Sequence, residues 1–245
     1  MGSPRLRDVL ERIESAIAAG VLPLAIFDLD STLFLTEPRN LQIFHEFAAR
    51  RRTVYPELAA LVDQIGPAQM GWNIRESLAH HGVQNLELLD DLHRFWRDRF
   101  FTDDYVVHDD PTAGSVEFVT ACHQRGALIY YLTGRHVGGM ELGTVRALRT
   151  AGFPFWRGRC TLHLKPSFEM SDHAFKDDAL SDIRSYHGRV VATFENEPGN
   201  ANLFLRSFPD ALHFLLETIH SPEPEVPDPR LIRSADFVLP SLAAR

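Results

Sequence analysis

Apolar positions near the start of the chain recur at helical spacing: Leu6, Val9, Leu10, Ile13 and Ile17. They form one stripe, and Gly20 ends it, so residues 4–19 are predicted to be a helix. The period then changes. Residues 24–27 are a short unbroken apolar run, the pattern of a strand buried on both faces. From 38 to 100 the spacing is helical throughout and no strand pattern interrupts it. Pro38 stands at a first turn with Leu41, Phe44, Phe47 and Ala48 behind it. Leu58, Leu61, Val62 and Ile65 make a second face, and Leu88, Leu92, Phe95 and Trp96 a further one.

Beyond about residue 106 the pattern alternates. A helix marked by Val116, Val119 and Ala121 ends at Gly126 and leads into a strand at 128–132. Strands at 161–164, 190–194 and 212–216 are separated by helices at 172–186 and near 200–207. The proline-rich "HSPEPEVPDPR" is loop, and "ADFVLP" is predicted to be a last edge strand. Alternating strands and helices imply a parallel sheet covered on both faces. The expected fold is therefore a Rossmann-like α/β core, residues 1–35 and 106–245, with an all-helical domain, 36–105, inserted after the first strand.

Composition narrows the function. The 245 residues are 44% hydrophobic with a formal charge of −8, so no broad nucleic-acid surface is expected. A small anionic substrate stays open, provided local cations overcome that field. Cys122 and Cys160 have no CxxC spacing, which fits a reducing compartment. The apolar patch at 16–26 imitates a signal peptide, but Asp8, Glu11 and Glu14 precede it and Gly20 and Pro23 break it. No membrane span and a cytoplasmic location are expected. The twelve histidines show no HxH or HExxH spacing.

The chemistry sits at strand ends, where ligands bind in such sheets. "FDLDST" closes the first strand with Asp28 and Asp30, "YYLTGR" closes the next core strand with Thr133, Gly134 and Arg135, and "FEN" closes a later one with Glu195 and Asn196. Strand alternation would point Asp28 and Asp30 the same way. Two carboxylates so close repel unless a cation or a shared proton relieves them. A lone DxD would be read as a polar strand end. Lys165 and Lys176 are the chain's only lysines, beside 23 arginines. Chance composition is one reading; a need for a compact ammonium is the other.

In this order, these residues resemble the haloacid dehalogenase superfamily of phosphohydrolases, over 22–35 and about 106–217. The resemblance implies Asp28 as the nucleophile that forms an aspartyl-phosphate, and Asp30 as general acid and then base. It implies that Thr133 hydrogen-bonds the phosphoryl oxygens and that a lysine neutralises them. Mg2+ would be held by Asp28, the backbone carbonyl of Asp30 and an acid of "FENE". Glu195 is assigned that role, Asn196 is a neutral or water-mediated ligand, and Glu197 is a solvated loop acid. Lys176 is assigned the phosphoryl contact and Lys165 a substrate-side role, with the reverse kept as the alternative. Dehalogenases resembling this fold lack an acid at the position of Asp30 and transport ATPases carry Thr, so phosphatase is the expected activity. The expectation is a Mg2+-dependent phosphatase of a small phosphorylated metabolite, its helical insertion acting as a cap. The alternatives are a phosphate-ligand sensor and a phosphotransferase. Substrate identity, oligomeric state and pathway are not spelled by the sequence.

Other residues read more plainly. Arg135 and His136 lie just past Thr133, where Arg135 serves substrate, caps a helix or pairs with an acid. His220 and the pair His80–His81 are loop and helix-end residues, and Arg50–Arg52 interacts with a helix dipole. Trp72, Trp96 and Trp156 read as packing residues. Of the three, Trp72, in "MGWN", has the best chance of touching substrate.

Overall fold

A computed structural model describes residues 2–156, 158–222 and 224–239. The chain runs α1 (Leu6–Ala18), β1 (Pro23–Phe27), β2 (Phe34–Leu35), α2 (Glu37–Arg51), α3 (Leu58–Val62), α4 (Ile74–His80), α5 (Leu86–Phe100) and α6 (Asp103–Val106). It continues through β3 (Asp110–Pro111), α7 (Ser115–Gln124), β4 (Leu128–His136), α8 (Val137–Ala151), β5 (Cys160–Lys165) and α9 (Asp172–Ser185). Last come β6 (Arg189–Glu195), α10 (Pro198–Ser207), β7 (Leu212–Leu216) and β8 (Ile232–Ser234). Among the described residues no helix is long and apolar enough to cross a membrane.

Six strands form one parallel sheet in the order β5-β4-β1-β6-β7-β8. The unbroken apolar run of β1 has its reason here. Ala25 and Phe27 face a core shared with α1, α7 and α8. Leu24 and Ile26 face the opposite core, built with α9 and α10. The strand order reverses direction about β1, with β4 on one side and β6 on the other, and the crevice at such a point is where ligands bind.

Helices α2 to α6 enter between β1 and β4, as the helical spacing predicts, and carry a separate core that includes Phe44, Phe47, Leu78 and Leu92. The predicted second face is helical only over Leu58–Val62. Both crossings between sheet and insertion run through a short ribbon that periodicity did not reveal: β2 pairs antiparallel with β3, Phe34 against Pro111. Thr112 N–H adds a bond to Leu33 O at 2.9 Å. Gly143 of α8 lets α6 approach closely, since a Cβ there would meet the Asp103 backbone.

The edge strand differs from expectation. It is Ile232–Ser234, while 235–239 form no strand, and Pro240 lies outside the described residues. Phe237 explains the difference. It is 1% exposed and fills the core against Phe27, Phe118 and Phe194, so the segment turns inward instead of extending the edge.

Candidate active site

Asp28 follows β1 directly, and its N–H donates to Phe194 O at 3.0 Å, which keeps it in register with β6. Lys176 comes from the second turn of α9, whose N-terminus is capped by Ser171 Oγ accepting from Ala174 N–H at 3.2 Å. The Lys176 ammonium donates to Asp28 Oδ1 at 2.8 Å and to Glu195 Oε2 at 2.6 Å. Glu195 Oε1 accepts from the N–H groups of Asn196 and Glu197, both at 3.2 Å. Lys176 is thus the lysine that reaches Asp28. Lys165 instead donates to Asp172 Oδ1 at 2.7 Å while lining the same cavity.

Burial sets the electrostatics of this group. It raises the Asp28 pKa against the pull of Lys176, and Asp30 nearby pushes the same way. Burial and then Asp28 raise Glu195 to about 8. For Lys176 burial opposes the charge, but Asp28 and Glu195 outweigh it and the pKa rises. Two acids share one ammonium, and their raised pKa values show that the paired negative charges are disfavoured there unless a further cation joins them.

Asp30 does not share the lysine. Leu29, fully buried, separates it from Asp28, and Ser31 then turns the chain with a left-handed φ of 54°. Its Oδ1 accepts from Arg135 Nη2 at 2.7 Å and from Arg39 Nη2 at 2.9 Å. Both guanidiniums also bind Asp109: Arg135 Nη2 donates to Oδ2 at 2.7 Å, Arg39 Nε to Oδ1 at 2.8 Å, and Arg39 Nη2 also to Oδ2. The four side chains balance in charge, and both arginines are essentially fully buried. Burial would raise the Asp30 pKa, but Arg135 and Arg39 outweigh it and hold the carboxyl well below its usual range. In this arrangement Asp30 is ionised, and the guanidiniums that keep it so also weaken it as a base.

Arg39 and Asp109 were missed in the sequence. Arg39 had a visible signal. It stands at i, i+4, i+8 with Ile43 and Phe47, so a charge lies on the buried stripe of α2. Asp109, in "HDDP", carried none. Of the two readings of Arg135, the acid partner is the one found, although its side chain also borders the cavity.

A cavity of about 420 Å3 opens above these groups. Asp28, Asp30, Lys176, Glu195, Asn196 and Glu197 lie on its sheet side, and Trp72, His93, Trp96 and Phe100 come from the insertion. Gly134 is on the wall, where any Cβ would collide with the Asp172 carboxylate. Thr133 is fully buried outside the lining, its hydroxyl accepting from Arg135 N–H at 3.2 Å. Asn196 ties two loops together: Nδ2 donates to Ile219 O at 2.7 Å and Oδ1 accepts from Thr32 Oγ1 at 3.3 Å. Glu197 is no solvated loop acid. Its carboxylate accepts from the N–H and hydroxyl of Ser221, both at 2.7 Å, pinning the loop after β7. His220 is exposed, as expected of a loop histidine. Arg50 and Arg51 pair with Glu46 and Asp91.

The donors suit a hard divalent cation. Asp28 and Glu195 offer carboxylate oxygens side by side at the cavity floor, and Mg2+ is typically held by one or two carboxylates with waters and substrate oxygens. Among the described residues no three acidic, histidine or cysteine side chains are grouped so as to hold a metal ion by themselves. Asn196 Oδ1, engaged by Thr32, is less free to ligate than its sequence position implied.

No family model matches the chain, and no curated protein matches it. Solved structures do. A candidate phosphatase from Clostridium difficile superposes with a TM-score of 0.50 at 11% identity, covering 83% of this chain and 89% of that one. Protein tyrosine kinase A (PtkA) of Mycobacterium tuberculosis gives 0.50 at 13%, covering 89% and 95%. The class C acid phosphatase of Bacillus anthracis gives only 0.42 at 14%, and the chain spans 65% of its length. At such identities a likeness speaks to the fold alone. The six-stranded parallel sheet, with helices inserted after its first strand, is a Rossmann-like α/β fold shared with the two structures that superpose at 0.50.

Proposed function

We propose that the protein is a Mg2+-dependent phosphomonoesterase that works through an aspartyl-phosphate on Asp28. One observation carries the reading: a buried lysine bridges the strand-end carboxylates Asp28 and Glu195 at the floor of a cavity. A carboxylate attacks an anionic phosphate only when the charge on the transferring group is offset. Lys176 is placed to do this beside Asp28, and Glu195 orients the ammonium. Mg2+, held by Asp28, Glu195 and the Asp30 carbonyl, would supply further charge neutralisation.

Asp28 attacks phosphorus, and the alcohol leaves. Water then attacks the aspartyl-phosphate, and Asp30 takes its proton. Asp30 is ionised and faces two guanidiniums, so it would accept this proton only as a weak base, and would return it to the leaving oxygen in the next turnover. The insertion would act as the cap, since its helices supply one side of the cavity.

The deciding experiment is Mg2+-dependent release of inorganic phosphate from simple phosphomonoesters. Wild type should turn over and Asp28→Asn should not. Steady-state hydrolysis by Asp28→Asn would rule out the covalent route.

A further inference from the structure

The two ends of the cavity differ in chemistry. The sheet end is ionic. The far end is built from rings: Trp96 contacts Phe100 at 4.7 Å and Phe101 at 5.5 Å between centroids, and Phe101 contacts Phe168 at 4.9 Å. Such a chain could be simple packing. Trp72 is different. Its side chain borders the cavity, is 50% exposed, and makes no ring contact among the described residues. Its neighbour Asn73 accepts from Arg75 N–H at 3.0 Å and caps α4, so the backbone beside Trp72 is anchored while its ring faces open space.

A polar handle accompanies the rings. Asn40 is 3% exposed and borders the cavity. Its Oδ1 accepts from Trp96 Nε1 at 2.7 Å, which orients the amide and leaves Nδ2 as a donor with no partner among the described residues. The lysines and arginine that line the cavity are paired: Arg135 with Asp30 and Asp109, Lys165 with Asp172, and Lys176 with Asp28 and Glu195. A second anionic group on the substrate would have to displace one of these partners or reach Arg97, which lies over the Phe168 ring. A sugar or polyol would need several directional hydrogen bonds, and the aromatic end offers few.

Resting on the phosphatase reading, we infer that the substrate is a monophosphate whose organic part is a neutral planar aromatic ring bearing a hydrogen-bond acceptor. The ring lies against Trp72 and the Trp96–Phe100 wall, and the acceptor meets Asn40 Nδ2. Flat rings gain from stacking beyond the area they bury, and a preformed aromatic slot costs little to organise. The ring can be joined to the phosphate directly, as in an aryl phosphate, or through a sugar, as in a nucleoside monophosphate.

Binding tests this without the bias that good leaving groups bring to rates. Asp28→Asn protein would be titrated calorimetrically, with Mg2+, against phenyl phosphate, adenosine 5′-monophosphate, glycerol 3-phosphate and glucose 6-phosphate. At least one ring-bearing ligand should bind roughly tenfold or more tightly than both polyol phosphates. The stronger of the two identifies how the ring is joined. Adding Trp72→Ala should cut that advantage about fivefold or more, with circular dichroism confirming the fold. Asn40→Ala should weaken adenosine monophosphate and spare phenyl phosphate, which has no ring acceptor. Equal or tighter binding of the polyol phosphates, or an advantage untouched by Trp72→Ala, overturns the inference. If wild type hydrolyses phosphomonoesters but the ring preference is absent, only this inference falls. If the preference holds and wild type hydrolyses none of the four, the phosphatase reading falls instead.

Discussion

Arg39 of α2 donates from Nη2 to Oδ1 of Asp30 at 2.9 Å, so the first helix of the insertion holds a carboxylate of the sheet edge. The same guanidinium binds Asp109 and lies 4.3 Å from the Phe100 ring centroid. It joins the start of the insertion, the residue that precedes its return strand β3, and the sheet.

That position makes Arg39 costly to lose. Arg39→Ala should destabilise the protein by about 3–5 kcal/mol, because Asp109, fully enclosed, keeps only one of its two cations. Arg39→Lys should not restore it, since one ammonium cannot reproduce a fork that bridges two carboxylates. Denaturant unfolding of Arg39→Ala, Asp109→Asn and the double variant gives the test. The double variant should cost less than the two singles together. Strict additivity would mean that the pair does not act as a unit.

The two lysines should separate cleanly. Lys176→Ala should lower kcat by roughly 10²-fold or more, as expected for a group that stabilises charge on the transferring phosphoryl. Lys176→Arg should fail as well, the planar fork being wider than the ammonium it replaces. Lys165→Ala should mainly raise KM or change little, because its ammonium is paired with Asp172 on the cavity wall. A dead Lys165→Ala beside an active Lys176→Ala would reverse the assignment.

The buried acids imply a pH signature. Glu195 is raised from 4.5 to about 8, so the folded state holds its proton more tightly than the unfolded chain does. Its contribution to stability is therefore lost as pH rises through that interval. His93, His163 and His213 are depressed from 6.5, chiefly by burial, and act in the opposite sense only below that value. Between pH 6.5 and 8 the metal-free protein should lose up to about 1.4 kcal/mol per pH unit. Glu195→Gln should flatten this slope, and Mg2+ should reduce it in wild type. Thermal unfolding across the window measures both; identical slopes in wild type and Glu195→Gln would exclude Glu195 as the source.

Metal exchange tests the donor set. EDTA should abolish turnover and Mg2+ restore it, whereas Ca2+ should inhibit. Its looser shell of more oxygens lets Asp28 coordinate in ways that spoil its attack. Undiminished hydrolysis in EDTA would remove the metal from the proposal.

The main elements and the chemistry-bearing strand ends were legible in the sequence because both are local. The period of apolar residues distinguishes β1 from the helices on either side. A strand's last residues must lie at the sheet edge, which put Asp28, Thr133 and Glu195 within one region before any contact was known. Lys176 and Lys165 both lay close enough to serve, and only the packing of α9 against the sheet aims Lys176 at Asp28 and Glu195. Spacing could not show that Arg39 would cross to Asp30 and Asp109, because the latter contact joins residues 70 positions apart. Nor could it show that Phe237 would leave the expected edge strand to fill the core. Trp96 read as packing and does pack, yet it also orients Asn40 into the cavity. Local periodicity specifies which face of an element is buried. Which charged or aromatic side chain on that face meets which partner depends on how distant elements dock, and the tertiary structure alone decides it.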